Sequence, residues 1–333
     1  MLLEPGRCCV SFLEQPSLNP APTLTVGLPF HNAEPHFEDA LRSLFAQTFS
    51  DWELLLMDDG STDSSLRIAQ SLTDPRVRVF SDGARRGLAA RLNQIVAAAR
   101  GRYLARMDAD DLIHPQRLEK QVELLTSTPE LDAAGCSLLV FDRGRGATGW
   151  RPVPEDHAAI CADPLYGFRL VHATVVARTQ WLRRFPYNPE NRYCEDLELW
   201  LSCYRSSRFA NLPEPLYYCR EFESFALGKY GRAKASLVSF LWRRGREFGR
   251  AKTVAACLRH AACIPAYALA EITGLRRSLI QRRSRPLDPR LRAEFDQVWE
   301  KIRATALPRA AGSEAAGSVE GEGSLQPGVA QRQ

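Results

Sequence analysis

Gly101-Arg-Tyr-Leu-Ala-Arg-Met-Asp-Ala-Asp-Asp-Leu112 carries a short apolar strand directly into three carboxylates. Tyr103–Met107 has strand composition, and the polar loop Asp108–Pro115 follows it. Pro115 stands where a helix begins, and Leu118, Val122 and Leu125 then share one face of a helix over Gln116–Thr126. The stretch therefore reads as one strand–loop–helix unit of an α/β fold. Residues i and i+2 of an extended segment point the same way, so Asp108 and Asp110 can aim two carboxylates at one hard divalent cation. Alone this is a weak signal. With 17 Asp in 333 residues, chance supplies about one Asp-x-Asp, and a solvated turn capping the next helix accounts for it better.

Upstream the same alternation repeats. Leu24–Leu28 is a β-rich run ending at Pro29, and Trp52–Met57 and Val77–Phe80 are two further apolar strands. Phe37, Ala40, Leu41, Leu44 and Phe45 mark one helix face. Asp63–Leu72 is a helix opened by Ser, Thr and Asp capping residues, and Gly87–Arg100 is helical. Alternating strands and helices predict a mainly parallel sheet flanked by helices on both faces. Ligands then bind at the carboxyl ends of strands, which points to Pro29–Glu34, Asp58–Asp63 and Asp108–Pro115.

Five strings in order resemble the family 2 glycosyltransferases across about residues 23–220. They are Val26-Gly-Leu-Pro-Phe-His-Asn32, Gln47-Thr-Phe-Ser-Asp-Trp-Glu53, Met57-Asp-Asp-Gly-Ser-Thr-Asp63, the Gly101–Asp111 run, and Cys194-Glu-Asp-Leu-Glu-Leu-Trp200. The resemblance implies the Rossmann-like GT-A fold, a nucleotide-sugar donor (first of all a UDP-sugar) and inverting transfer to a glycan or lipid-linked acceptor. It implies Mn²⁺ or Mg²⁺ held by Asp110 with Asp108, which also serves the ribose. It implies Asp196 as the base with Glu195 supporting it. Pro29, Phe30, Asn32, Glu34 and Asp59 fall on the nucleotide contacts, and His172 in the vicinity of the acceptor or the metal. Outside the resemblance, Glu195–Asp196 reads equally as a helix cap, and a lone His as a hydrogen-bonded structural residue. The chain departs from the pattern at Arg85, where the family usually has Asn, and at Ile95, where a small residue is common. Arg85 and Arg91 are phosphate contacts or solvent-facing side chains.

The ends and the composition set the frame. Hydrophobic residues make up 45% and charged residues 25%, as in globular proteins. The net charge of +5 hides an asymmetry: Arg220–Arg309 holds twenty basic and eight acidic side chains, so the rest of the chain is net acidic. The expected organisation is a mobile leader over 1–22, a catalytic domain over 23–220, a basic, mostly helical extension over 221–309 and a disordered tail over 310–333. No secretory signal and no membrane-spanning helix is expected, the best stretch, Val254–Leu275, being interrupted by Arg259, His260, Pro265 and Glu271. Nine cysteines without a Cys-x-x-Cys pair suit a reducing compartment, either cytoplasmic or peripheral on the cytoplasmic face of a membrane. Leu237–Trp242 beside Arg243–Arg246, and the arginines at 276, 277, 282, 283 and 285, suggest contact with an anionic membrane or solvated helix faces packed on the catalytic domain. No nucleic-acid motif accompanies the charge. Two other readings are a sugar-phosphate nucleotidyltransferase, which needs a Gly-rich triphosphate loop that Pro29–Glu34 lacks, and a degenerate transferase acting as a membrane scaffold.

Overall fold

The computed structural model describes residues 21–142, 146–191, 193–220, 227–275 and 282–309. The leader before residue 21, Arg276, Arg277 and the tail after residue 309 lie outside the described residues.

Strand β1 (Leu24–Phe30) is buried along its whole length. It pairs in parallel with β2 (Trp52–Asp58) on one side and β4 (Tyr103–Arg106) on the other, and β3 (Val77–Phe80) pairs in parallel with β2. Helices α1 (Glu34–Phe45), α2 (Ser65–Gln70) and α3 (Leu88–Ala98) make the crossovers. Strand side chains alternate between faces. Leu54 and Leu56 accordingly join the core containing Phe37 and Leu41 of α1, while Leu55 and Met57 join the one containing Leu92 and Ile95 of α3. Both faces are covered, which is why these strands are continuous apolar runs. The first strand extends past the expected stop at Pro29. Pairing with β4 ends at Gly27, so one side of Pro29 is already unpaired there, an edge position that tolerates a missing N–H.

Beyond β4 the sheet becomes mixed. Strands β5 (Leu112–Ile113), β6 (Ala133–Asp142), β7 (Gly146–Arg151), β8 (Val176–Arg178) and β9 (Phe209–Cys219) complete the order β3-β2-β1-β4-β8-β6-β9-β5, with β7 pairing β6. The pairs β4–β8, β8–β6, β6–β7 and β5–β9 are antiparallel, and β6–β9 is parallel. Helix α4 (Arg117–Ser127) packs beneath, burying Leu118, Val122 and Leu125 as its spacing predicts. Short helices α5 (His157–Ile160) and α6 (Thr179–Arg184) and a 3₁₀ turn, His172–Thr174, flank β8. Helix α7 (Glu195–Cys203) then leads into β9.

The basic extension is two different structures. Helices α8 (Leu227–Arg244) and α9 (Arg250–Ile272) form a hairpin, turning at Gly249 with φ +88°, a conformation that suits glycine. Leu237, Phe240 and Leu241 of α8 and Ala256 and Cys257 of α9 pack on Leu197 and Leu201 of α7. Most of the apolar run Leu237–Trp242 therefore faces protein. Helix α9 also has an 18-residue window with mean hydropathy 1.3, so by length and composition it could cross a membrane, although 33% of that window is buried in the protein. The sequence expectation counted interruptions, whereas Ala, Cys, Leu and Ile raise the average. Helix α10 (Pro289–Ala304), by contrast, belongs to the sheet. Phe295, Val298 and Ile302 pack on Leu112, Leu139, Phe141 and Tyr218. After it, Thr73 N donates to Pro308 O at 2.8 Å and Arg309 pairs with Glu38 at 2.6 Å.

Candidate active site

The carboxyl ends of β2, β1 and β4 lie side by side, so their three loops share one edge of the sheet. The first two loops are stitched together by their own polar groups. Asn32, at φ +49°, receives the N–H of Thr62 on its Oδ1 at 2.8 Å and donates its own N–H to Ser61 Oγ at 3.2 Å. Asp63 accepts from the N–H of Glu34 and of Ser65, and Glu34 accepts from the N–H of Ser64. Phe30 turns inward, 3% exposed, against the ring of Phe37 at 4.8 Å, so only its backbone belongs to the loop. Asp58 accepts from Ser61 N–H and from Ser81 Oγ, which hold its carboxyl below the usual range against the opposing effect of burial. Asp59 accepts from the N–H of Arg86 and Gly87 and pairs with Arg91 Nε at 3.0 Å. Arg91 is itself buried and also pairs with Asp82. It therefore holds this loop from inside and does not face solvent, whereas Arg85 is exposed. Ile95 fills the space above Gly27, where a Cβ would overlap its Cγ2.

The acidic turn follows Arg106, the last residue of β4. Arg106 is 7% exposed and grips Asp108 with both terminal nitrogens, at 2.8 and 2.5 Å. Its Nε is buried with no hydrogen-bond partner. The backbone N–H of Asp108 donates to the Tyr217 hydroxyl at 3.2 Å. Asp111 is buried and accepts the N–H of Arg220 at 2.7 Å, while Arg220 Nε donates to the backbone oxygen of Asp110 at 3.0 Å. Strand β9 brings both Tyr217 and Arg220 here by pairing with β5 immediately after the turn. Burial and then the negative charge of Asp108 push the Asp110 carboxyl up. Burial, Asp110 and Asp108 push Asp111 up further. The turn thus carries more negative charge than its protein partners offset.

Glu195 and Asp196 form the first turn of α7, Glu195 9% exposed and Asp196 half-buried. Asp196 Oδ1 accepts the N–H of Leu197 at 2.7 Å. Burial followed by the Asp196 charge raises Glu195 to about 7, and Glu195 also senses Arg106 and Asp108. Burial raises Asp196, and Arg106 opposes the shift. Arg106 is therefore within electrostatic reach of both the acidic turn and the start of α7. His172 is buried beneath, its Nε2 2.8 Å from the Tyr187 hydroxyl and its ring edge-on to Trp200. Burial and then Arg106 keep it neutral. The motifs did not single out Arg106, Tyr187, Tyr217 or Arg220. One signal was available: a charged Arg106 inside the otherwise apolar strand Tyr103–Met107.

Among the described residues no group of three or more His, Cys, Asp or Glu converges as a ready metal cage. A groove of about 610 Å³ beside Trp150 and Leu291 and another of about 340 Å³ between His114 and Lys301 contain none of these carboxylates.

A sequence profile of Glycosyl transferase family 2 matches residues 25–185. EpsE of Bacillus subtilis, which is assigned as a glycosyltransferase, is 34% identical over 213 residues, 61% of this chain and 75% of EpsE. The chain belongs to glycosyltransferase family 2. This glycosyltransferase also shares its fold with solved structures at low identity. TarS residues 1–349 of S. aureus, in complex with UDP-GlcNAc, superposes with TM-score 0.52 and 19% identity, covering 64% of this chain and 66% of that one. The mannosyltransferase PcManGT of Pyrobaculum calidifontis, in complex with GDP-Man and Mn²⁺, gives TM-score 0.53 and 18% identity, covering 85% and 86%. The fold of the transferase is GT-A, with a helical C-terminal extension.

Proposed function

We propose that this transferase moves a sugar from a nucleotide diphosphate to a hydroxyl of a glycan or lipid-linked acceptor, with inversion and divalent-metal assistance. The carrying observation is the buried Arg106, which grips Asp108 and whose charge is also felt at Glu195 and Asp196, although the two acidic motifs lie far apart in sequence. This supports a reading in which the donor phosphate at Asp108–Asp111 lies near the acceptor hydroxyl at Asp196. Solved relatives in fold that hold UDP-GlcNAc or GDP-Man support a nucleotide sugar. A succinoglycan biosynthesis protein of Rhizobium meliloti, 30% identical over 128 residues, supports a place in polysaccharide synthesis.

The donors fit a hard cation. Asp110 carries a carboxyl raised by burial and by the neighbouring charge of Asp108, and Mg²⁺ or Mn²⁺ typically takes one or two carboxylates plus substrate phosphates rather than a full protein cage. Asp110 and Asp108 would hold it, and when bound it offsets charge on the departing diphosphate. Asp196 takes the proton of the attacking hydroxyl as its oxygen bonds to the anomeric carbon. The C1–O bond breaks on the opposite face, and its electron pair leaves on the phosphate oxygen. Glu195, beside it, shares the proton load. Pro29, Asn32, Glu34 and Asp59 frame the nucleotide mostly through the loops they fix, Phe30 through its backbone, and His172 supports Tyr187 below the acceptor side.

A panel of sugar nucleotides with Mn²⁺ tests the reading by transfer, hydrolysis and calorimetric binding. Asp110→Ala is expected to lose metal-dependent donor binding, and Asp196→Asn to lose turnover by at least about a hundredfold while keeping donor binding. Full turnover in both variants, or no donor bound by the wild type, overturns it.

A further inference from the structure

We propose that the outer face of α9 is a docking surface for an anionic lipid bilayer, on which the helix lies in the plane of the interface. Val254, Leu258, Leu269 and Ile272 are 42%, 67%, 62% and 84% exposed. Their spacing of 4, 11 and 3 residues returns to one side of a helix of 3.6 residues per turn. Exposed Ala261 and Pro265 continue the same strip. Isolated exposed hydrophobics are ordinary, but a strip five turns long is not.

Charge selects the occupant. Residues 227–275 hold nine Lys and Arg against two Asp and Glu. Arg250 opens the helix on the side of the strip, and Lys252 and Arg259 are exposed further round the same helix. Two copies of such a surface repel each other, whereas anionic headgroups attract it, and each basic side chain near the surface adds to binding. The opposite face of α9 fixes the orientation. His260 Nε2 lies 2.9 Å from Leu165 O, Thr253 Oγ1 donates to Gly245 O at 3.1 Å, and Ala256 and Cys257 pack against α8 and α7. Crossing the bilayer would strip these contacts; lying on it keeps them. The hairpin packs on α7, whose first turn carries Glu195 and Asp196. Docking therefore holds that turn at a set distance from the bilayer, which suits a lipid-linked acceptor; this last consequence rests on the proposed function, and the docking does not.

Flotation of the full chain with vesicles tests the surface independently of catalysis. The wild type is expected to float with phosphatidylcholine–phosphatidylglycerol vesicles at low salt, and about tenfold less with phosphatidylcholine alone or at high salt. Leu258→Glu with Leu269→Glu is expected to lower the bound fraction at least about tenfold at an unchanged melting temperature. Alkaline carbonate is expected to release the wild type. A wild type that never floats, a double variant that floats equally, or protein that resists carbonate each overturns the proposal. So does a dimer seen by light scattering that the double variant dissolves without any change in flotation.

Discussion

A buried guanidinium needs partners that offset its charge, and Arg106 pairs with Asp108 and feels the charge of Glu195. Arg106→Gln leaves Asp108 unpaired. Because Asp108 is about a third exposed, water recovers part of the loss, and the expected cost is about 1–3 kcal/mol in urea unfolding. A variant as stable as wild type would mean that the pair contributes nothing. Glu195 makes the opposite kind of prediction. Its folded pKa, about 7, lies above the ordinary 4.5. Between those values the folded state holds a proton that the unfolded chain has released, so this group's contribution to stability falls as pH rises through the window. In the metal-free protein Glu195→Gln is therefore expected to melt higher than wild type above pH 7 and to converge with it near pH 4.5. A melting difference independent of pH would discard this shift. Transfer, in contrast, should rise through the same window as the carboxylates lose their proton. Asp108, Asp110 and Asp196 could be proposed from the sequence because each stands in a short local string. Tyr217 could not, because its hydroxyl reaches the Asp108 N–H from 109 residues away, whereas Arg106 left one local trace, a charge inside an apolar strand.

The strands and helices were most legible where each element buries a face alone. The faces of α1 and α4 follow from apolar spacing, and β3 falls at Val77–Phe80 as read from composition. Legibility fell where an element depends on a distant partner. The prolines of β9, Pro213 and Pro215, coincide with register shifts against β6, a pattern that no local signal announces. In α10, Phe295, Val298 and Ile302 are separated by charged residues, and the sheet they pack on comes from strands far back in the chain. Ile95 is bulky where the family commonly has a small residue. Its counterpart is Gly27 of β1, whose missing Cβ makes room for it. Gly27→Ala is thus expected to cost about 1–3 kcal/mol by overpacking. In Ile95→Ala the same change should cost clearly less, because the obstructing methyl is gone. Chemical denaturation of the four proteins in this cycle decides it, and strict additivity would show that the two residues do not compete for space.

Across the whole molecule, the uneven charge of the chain does not mark a boundary between a catalytic body and an appendage. The basic stretch splits, its α8–α9 hairpin resting on α7 and its last helix covering the sheet. Residues after α10 reach back to the opposite end of the fold, where Leu72 bridges Arg309 and Arg42 donates to Thr305 O. A chain ended at Pro286 therefore loses the cover of Leu139, Phe141 and Tyr218, three large side chains each 2% exposed or less. Uncovered apolar area of that kind costs roughly 25 cal/mol per Å² and invites aggregation. The shortened chain is expected to be insoluble or to melt far below the full chain. Since an insoluble product decides little by itself, Phe295→Ala gives the graded version, with an expected loss of about 3–5 kcal/mol. Neutralising Lys252 and Arg259, both exposed on α9, should change stability by no more than about 0.5 kcal/mol. If both sets of variants were equally mild, α10 would be an ornament of the fold. If Phe295→Ala alone is costly, the C-terminal helix is a structural wall of the site's sheet, and only the hairpin is free to serve another surface.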